Sequence, residues 1–306
     1  MEAENDRNYV RSYGGRQFPF ACPRCQLSWA LGKEEIKRIS ENQSLHCMDC
    51  GNDFDFFDAL SNFLSPENRF LQYQIRSNHA VLGTTKILVG QEYRVDLHGE
   101  FSRIHKVFLT PNTTTPFWCE PIIAGNSGFL VISSRTEGTH APSPVEVSYL
   151  VYGNKQGFET PPWRELLSDA KGHEISGDYR VAIVEFATCF EVFLVQYLKP
   201  RLMKTFDEKV VNSLLKKHQR IEDRVSLTFE LATGSTLEEM LTKASRLILF
   251  ESWRDHVQKK RNKIVHTDEG ASLEDAKLAF EAVFKIIVYL QPEALNYLAC
   301  TFTCSR

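Results

Sequence analysis

Two pairs of cysteines, Cys22-Pro-Arg-Cys25 and Cys47-Met-Asp-Cys50, stand 21 residues apart in this 306-residue chain. Each C-x2-C turn offers two thiolates, and two such turns supply the four soft, tetrahedral ligands that zinc takes. Phe20 precedes the first pair and Gly51 follows the second. That fits paired knuckle turns, in which a glycine relieves backbone strain. Four thiolates leave no open position for water, so the zinc is expected to be structural and not catalytic. The remaining cysteines are Cys119, Cys189 and the C-x3-C pair Cys300 and Cys304. They read as ordinary thiols.

A second group lies near the C-terminus, in Arg261-Asn262-Lys-Ile-Val-His266. On a helix, Asn262 and His266 are four apart and share one face. Arg261 is about 100° round from Asn262, with a side chain long enough to swing into the same groove. An imidazole titrating near neutrality can take or give a proton. A guanidinium fork suits the negative charge that develops on a reacting phosphate. Together these groups can cut RNA without a metal: His266 moves the proton, Arg261 stabilises the charge, and Asn262 positions the phosphate or the imidazole. A second Arg-x4-His match, Arg135 to His140, falls in a turn-rich stretch and lacks the asparagine. It is set aside.

Arg261, Asn262 and His266 on a helix resemble the R-N-x3-H form of the R-x4-6-H signature of HEPN domains. The resemblance covers roughly residues 178–291, including an upstream apolar helix that carries Glu185 and Glu191. It implies a four- or five-helix bundle and a metal-independent endoribonuclease that cleaves by 2′-OH attack. It also implies a homodimer in which two copies complete a symmetric site. The setting it implies is prokaryotic phage defence or a toxin–antitoxin or stress system, with an antitoxin or sensor protein as a further partner. A buried carboxylate is costly unless paired. Glu185 or Glu191 is therefore expected either to hold Arg261 or His266 in place, or to form a structural ion pair or lie at a partly exposed edge. The competing reading is a non-catalytic module that binds nucleic acid or protein and whose helical part only dimerises.

The surrounding elements predict a multidomain chain. Residues 1–17 read as a flexible tail and 18–60 as a small zinc ribbon. Residues 70–152 carry short β-branched and aromatic runs at Phe70–Ile75, Lys86–Val89, Tyr93–Leu97, His105–Leu109, Phe129–Ser133 and Val145–Tyr152. They predict an all-β, sandwich-like domain. Residues 153–165 read as a linker, and 166–306 as an all-α, HEPN-like bundle. Its first helix is expected from Asp178 to Lys199, stopped by Pro200. A second opens with a Thr205–Glu208 capping box. A third opens with a Thr236–Glu239 box, bends near Glu251 and reaches His266. The last runs from Ser272 and ends at Pro292.

Composition sets the outer bounds. With 42% hydrophobic and 25% charged residues, the chain is not disordered or fibrous. A formal net charge of -3 excludes coating nucleic acid by bulk charge. Local basic faces remain: residues 199–224 hold eight Lys/Arg against four Asp/Glu, and Lys259, Lys260 and Lys263 flank the motif. The acidic N-terminus shows no secretory signal. Glu185 and Glu191 argue against a membrane span in Val181–Leu198. The expectation is a cytoplasmic protein, not in the membrane, with RNA as substrate, structural zinc and no catalytic cofactor.

Overall fold

The computed structural model of the chain describes residues 21–27, 32–60, 64, 70–88, 90–112, 118–125, 128–134, 144–294 and 301–304. The expected tail, Phe20, the Arg135 and His140 match, and Cys300 lie outside the described residues. The architecture mixes helices with antiparallel sheets and carries a cysteine cluster near its start.

Helix α1 (Lys33–Ser40) separates the two cysteine turns. A hairpin of β1 (Leu45–His46) and β2 (Asp53–Phe54) flanks the second turn, and α2 (Phe56–Leu60) follows. These elements are too short to bury a core of their own. Leu45, Phe54, Phe56 and Leu60 instead belong to the same continuous core as the C-terminal helices. The docking is fastened by an ion pair between Asp55 and Arg246, whose guanidinium also lies over the Phe57 ring, 4.8 Å from its centroid.

The run Phe70–Ile75, expected as a strand, is helix α3 (Leu71–Arg76). Its apolar residues alternate in sequence. What it buries, however, is Leu71, Gln74 and Ile75, the i, i+3, i+4 pattern of a helix. The β-region has seven described strands: β3 (His79–Ile87), β4 (Glu92–Asp96), β5 (Arg103–Pro111), β6 (Trp118–Ile123), β7 (Gly128–Ser134), β8 (Val145–Asn154) and β9 (Thr301–Cys304). One sheet has the order β5-β8-β3-β9 and the other β4-β7-β6. Val81, Val107, Val147 and Val151 of the first share one buried cluster with Val95, Phe129 and Val131 of the second. β9 returns from the C-terminus to pair parallel with β3. β6 was not legible in the sequence, because Glu120 and Pro121 interrupt its apolar run. Gly153 permits the close pairing of β8 with β5: a Cβ there would sit 2.3 Å from the Arg103 carbonyl oxygen.

The linker is shorter than expected, since β8 runs to Asn154 and α4 (Pro162–Ser176) begins at Pro162. A proline in the first turn is well placed there, having no N–H to leave unpaired. From α4 the fully buried Arg164 donates to the Ile75 and Ser77 carbonyls at 2.8 and 3.0 Å, tying the helices to the root of the β-region.

Helix α5 (Tyr179–Leu202) passes through Pro200 and ends at Leu202. In the final turn a proline removes a single backbone bond, the one that would reach the Gln196 carbonyl. α5 is the described helix long and apolar enough to cross a membrane. More than half of its apolar window is buried, with Phe186, Phe190, Phe193 and Leu194 in the core. That is consistent with the core helix of a soluble protein.

Next comes α6 (Glu208–Lys217), capped by Asp207, which accepts from the Val210 N–H at 3.0 Å, rather than by the Thr205 box. α7 (Ile221–Asp223) continues through a π-helical turn, Arg224–Thr228, into α8 (Phe229–Thr233). The Thr236 capping box opens α9 (Leu237–Lys243) as expected. The break after it falls at Ser245 (φ 55), not near Glu251. From there α10 (Leu247–Ser252), a π-helical stretch Trp253–Lys259 and α11 (Lys260–Thr267) run without interruption. α12 (Leu273–Leu290) opens with a Ser272–Asp275 capping box.

Candidate functional sites: a four-cysteine cluster and the Arg261–His266 helix

The two cysteine turns are near copies of each other. In the first, Gln26 N–H donates to the Cys22 carbonyl and Cys22 N–H to the Leu27 carbonyl, both at 2.9 Å. In the second, Gly51 N–H donates to Cys47 and Cys47 N–H to Asn52, again both at 2.9 Å. The residue after each pair is left-handed: Gln26 at φ 62 and Gly51 at φ 70. The turns bring Cys22, Cys25, Cys47 and Cys50 together, with all four Sγ atoms within 4.8 Å of one another. Cys22 Sγ lies 3.7 Å from Cys50 Sγ, and Cys25 Sγ 3.6 Å from Cys47 Sγ. A tetrahedral ion with metal–sulfur bonds of about 2.3 Å would set its sulfurs about 3.8 Å apart. The cluster could therefore hold a metal ion. Cys119 is half-buried in β6 and Cys189 is buried in α5, where its thiol donates to the Trp163 carbonyl.

Arg261, Asn262 and His266 all lie on α11, which packs against α5 and whose Ile264 is buried in the main core. Arg261 is half-buried, and its Nη1 donates to Asn262 Oδ1 at 3.2 Å. His266 is exposed in the last turn of the helix. The π-helical stretch directly before α11 was invisible in the sequence. Such wide turns recur at functional sites.

The two acids part company. Glu191 lies near the motif: burial pushes its carboxyl upward, while the charges of Arg224 and Arg261 pull it back. Glu185 faces α4, with Oε1 3.8 Å from His173 Nε2 and Oε2 buried without a hydrogen bond. Burial raises its carboxyl, and His173 opposes the shift. It touches neither Arg261 nor His266 in any described contact.

The lysines around the motif are engaged. Lys260 bridges Glu269 at 2.9 Å and Asp275 at 3.2 Å, locking α11 to the start of α12. Lys259 pairs with Asp255 at 2.8 Å, and Lys263 with Glu269 at 3.6 Å. Exposed positive charge is richer on and around α6, at Lys204, Lys209, Lys216, Lys217 and Arg220. Sequence reasoning also missed a cavity beside α11. It lies between the α4–α5 turn at Gly177 and the loop after α11 at Gly270. An ion pair between Arg180 and Asp268 spans the same two segments. Nothing in the local sequence marks these residues; only the packing of α5 on α11 joins them.

Comparison with family models, with curated proteins and with solved structures finds no match for this chain.

Proposed function

We propose that this protein is a metal-independent endoribonuclease of the HEPN type, organised as a zinc ribbon, a sandwich-like β-region and a helical catalytic bundle. The observation that carries the reading is the Arg261-Asn262-His266 set on one well-packed helix, preceded by a π-helical stretch, with its arginine held by Asn262 and its histidine open to solvent.

His266 acts as the proton-transfer group for the 2′-hydroxyl or for the leaving 5′-oxygen. Arg261 stabilises the charge on the phosphorane. Asn262 keeps the guanidinium in place until substrate arrives. Glu191 assists Arg261 electrostatically from α5. Because each chain supplies one arginine and one histidine, two copies together make a complete acid–base site. The half-exposed stripe Thr188, Val192 and Val195 on α5, with exposed Val265 on α11, supplies an apolar surface for that pairing. The exposed lysines of α6 attract the RNA backbone. Cys22, Cys25, Cys47 and Cys50 hold a structural zinc, a reading supported by the closeness of their four Sγ atoms. The setting carried by the resemblance is defence or a toxin–antitoxin system in the cytoplasm.

The test is cleavage of mixed RNA in magnesium-free buffer by zinc-loaded protein. Wild type should leave 2′,3′-cyclic phosphate and 5′-hydroxyl ends and should spare DNA. His266→Ala and Arg261→Ala should each lose about 10²–10⁴ in rate with fold and dimer intact. Equal rates in His266→Ala and wild type reject the assignment. So do 5′-phosphate products, which point to a water nucleophile. Binding of RNA with no cleavage by any form favours the non-catalytic module.

A further inference from the structure

Two π-helical segments stand among the described residues, Arg224–Thr228 and Trp253–Lys259. Such wide turns are rare and recur at functional sites. The second leads into α11 and Arg261. The first begins with an arginine of its own, Arg224. Both segments pack on α5, the helix that carries Glu191. Side chains also fasten the two regions to each other: Gln258 Nε2 donates to Oε1 of Glu222, two residues before Arg224.

Arg224 is half-buried, and its Nε donates to the His218 carbonyl at 3.1 Å. His218 is itself fixed, with Nδ1 2.9 Å from Thr228 Oγ1. The contact closes the end of α6 and orients the guanidinium, yet it uses one N–H of five. The two terminal nitrogens of Arg224 make no hydrogen bond or ion pair among the described residues. Arg261 is in a similar state: Nη1 reaches Asn262, and no carboxylate pairs with it among the described residues. Glu191 feels both charges, that of Arg224 the more strongly, and bonds to neither. It offsets one of the two. Glu222, the other acid nearby, is exposed, so water and salt weaken its field. Exposed Lys216, Lys217 and Arg220 extend the positive charge from Arg224 back along α6. A guanidinium anchored at Nε with its terminal nitrogens unspent suits an anion that offers paired oxygens.

We propose, resting on the nuclease reading above, that Arg224 is a second phosphate-binding residue of the Arg261 site, its terminal nitrogens holding the RNA backbone phosphate next to the one at Arg261. The exposed cations of α6 continue the path of the strand away from the site. Arg224 binds and orients, and takes no part in proton transfer. A strand gripped at two successive phosphates is fixed along its length, and attack by the 2′-hydroxyl depends on that alignment. The competing role is a purely structural one, in which Arg224 only closes the end of α6.

The test reads binding and not cleavage. Zinc-loaded full-length protein is titrated, at several salt concentrations, with a fluorescent single-stranded RNA whose 2′-hydroxyls are methylated and so cannot attack. Arg224→Gln should bind about tenfold more weakly. It should also flatten the slope of log K against log salt by about 0.7, the share of one phosphate on a single strand. Arg224→Lys keeps the charge and loses the Nε contact, so it should restore the slope and part of the affinity. A purely structural role would lower the melting temperature and leave the slope unchanged. A second measurement needs no variant: on wild type, the same RNA should protect Arg224 and Arg261 from an arginine-specific dicarbonyl reagent, read by mass spectrometry. An unchanged slope in folded Arg224→Gln overturns the proposal. So does equal modification of Arg224 with and without RNA, or no RNA binding at about 100 μM protein. His266-dependent cleavage of ordinary RNA alongside any of these results sinks Arg224 and leaves the nuclease reading standing. A flattened slope and a protected Arg224 in a protein that cuts no RNA support the phosphate site and sink the nuclease reading.

Discussion

The ion pair between Asp55 and Arg246 tests whether the cysteine module is an integral part of the helical core. Its side chains are 38% and 22% exposed, so the pair is worth roughly 0.5–1 kcal/mol and not the value of a buried one. Stacking of the Arg246 guanidinium on Phe57 adds about 0.5–1 kcal/mol. Arg246→Ala should therefore destabilise by about 1–2 kcal/mol. Asp55 has a second duty, since its Oδ1 accepts from the Phe57 N–H at 2.8 Å and caps α2. Asp55→Ala loses pair and cap together, whereas Asp55→Asn keeps an acceptor for the cap and should cost about half as much. Combining Asp55→Asn with Arg246→Ala isolates the pair, with an expected coupling of about 0.5–1 kcal/mol. Urea unfolding gives the stabilities. The rate of metal release to a chromogenic chelator gives the functional consequence, which should rise in each single variant. A coupling within about 0.3 kcal/mol of zero, with unchanged metal release, would refute the idea that this contact docks the module.

Elemental analysis should find one zinc per chain. Cys47→Ser should lose it and destabilise the protein by more than about 4 kcal/mol, because Cys22 and Cys47 are buried in the main core; retention of the metal would refute the site. Gln26→Gly should stabilise the first turn by about 0.5 kcal/mol, since a left-handed φ of 62 strains any residue with a Cβ. A lower melting temperature would count against that. His105 in β5 is held from its usual 6.5 down to about 4 by burial and by Arg76, Arg103 and Arg164. The unfolded chain thus takes up the proton first: stability is full above about pH 6.5 and falls as pH drops toward 4, by about 1–3 kcal/mol once partial exposure is allowed for. His105→Phe should flatten that slope in denaturant melts at several pH values, and superimposable slopes would exclude His105 as the cause.

Local chemistry explains what could be read without a fold. The C-x2-C spacing leaves little but paired turns for the four cysteines, because each turn closes over a few covalent bonds. Capping residues such as Thr236 and Ser272 bond to backbone three residues on, and the helices begin where they stand. Asn262 and His266 share α11 because helical spacing is itself local. Where the reading strayed, a longer-range contact outweighed a local signal. Phe70–Ile75 alternates like a strand, yet it coils because Leu71 and Ile75 reach the helical core while Arg164 holds its last carbonyls. Pro200 did not stop α5, since in the final turn a proline forfeits one backbone bond while Leu198 and Leu202 on either side of it stay buried in the core.

The sequence by itself determined the chemistry available: four thiolates in two turns, and an arginine, an asparagine and a histidine on one helix. The tertiary structure alone decided who faces whom. It set Glu191 within the field of Arg224 and Arg261 and Glu185 beside His173, spent the motif's flanking lysines on carboxylates, and merged the cysteine module into the bundle. It also opened a cavity beside α11. The longest of these links, such as Asp55 with Arg246, join residues far apart in the chain, and no local pattern encodes them. They follow from which apolar faces bury together, and that is settled only when the whole chain packs.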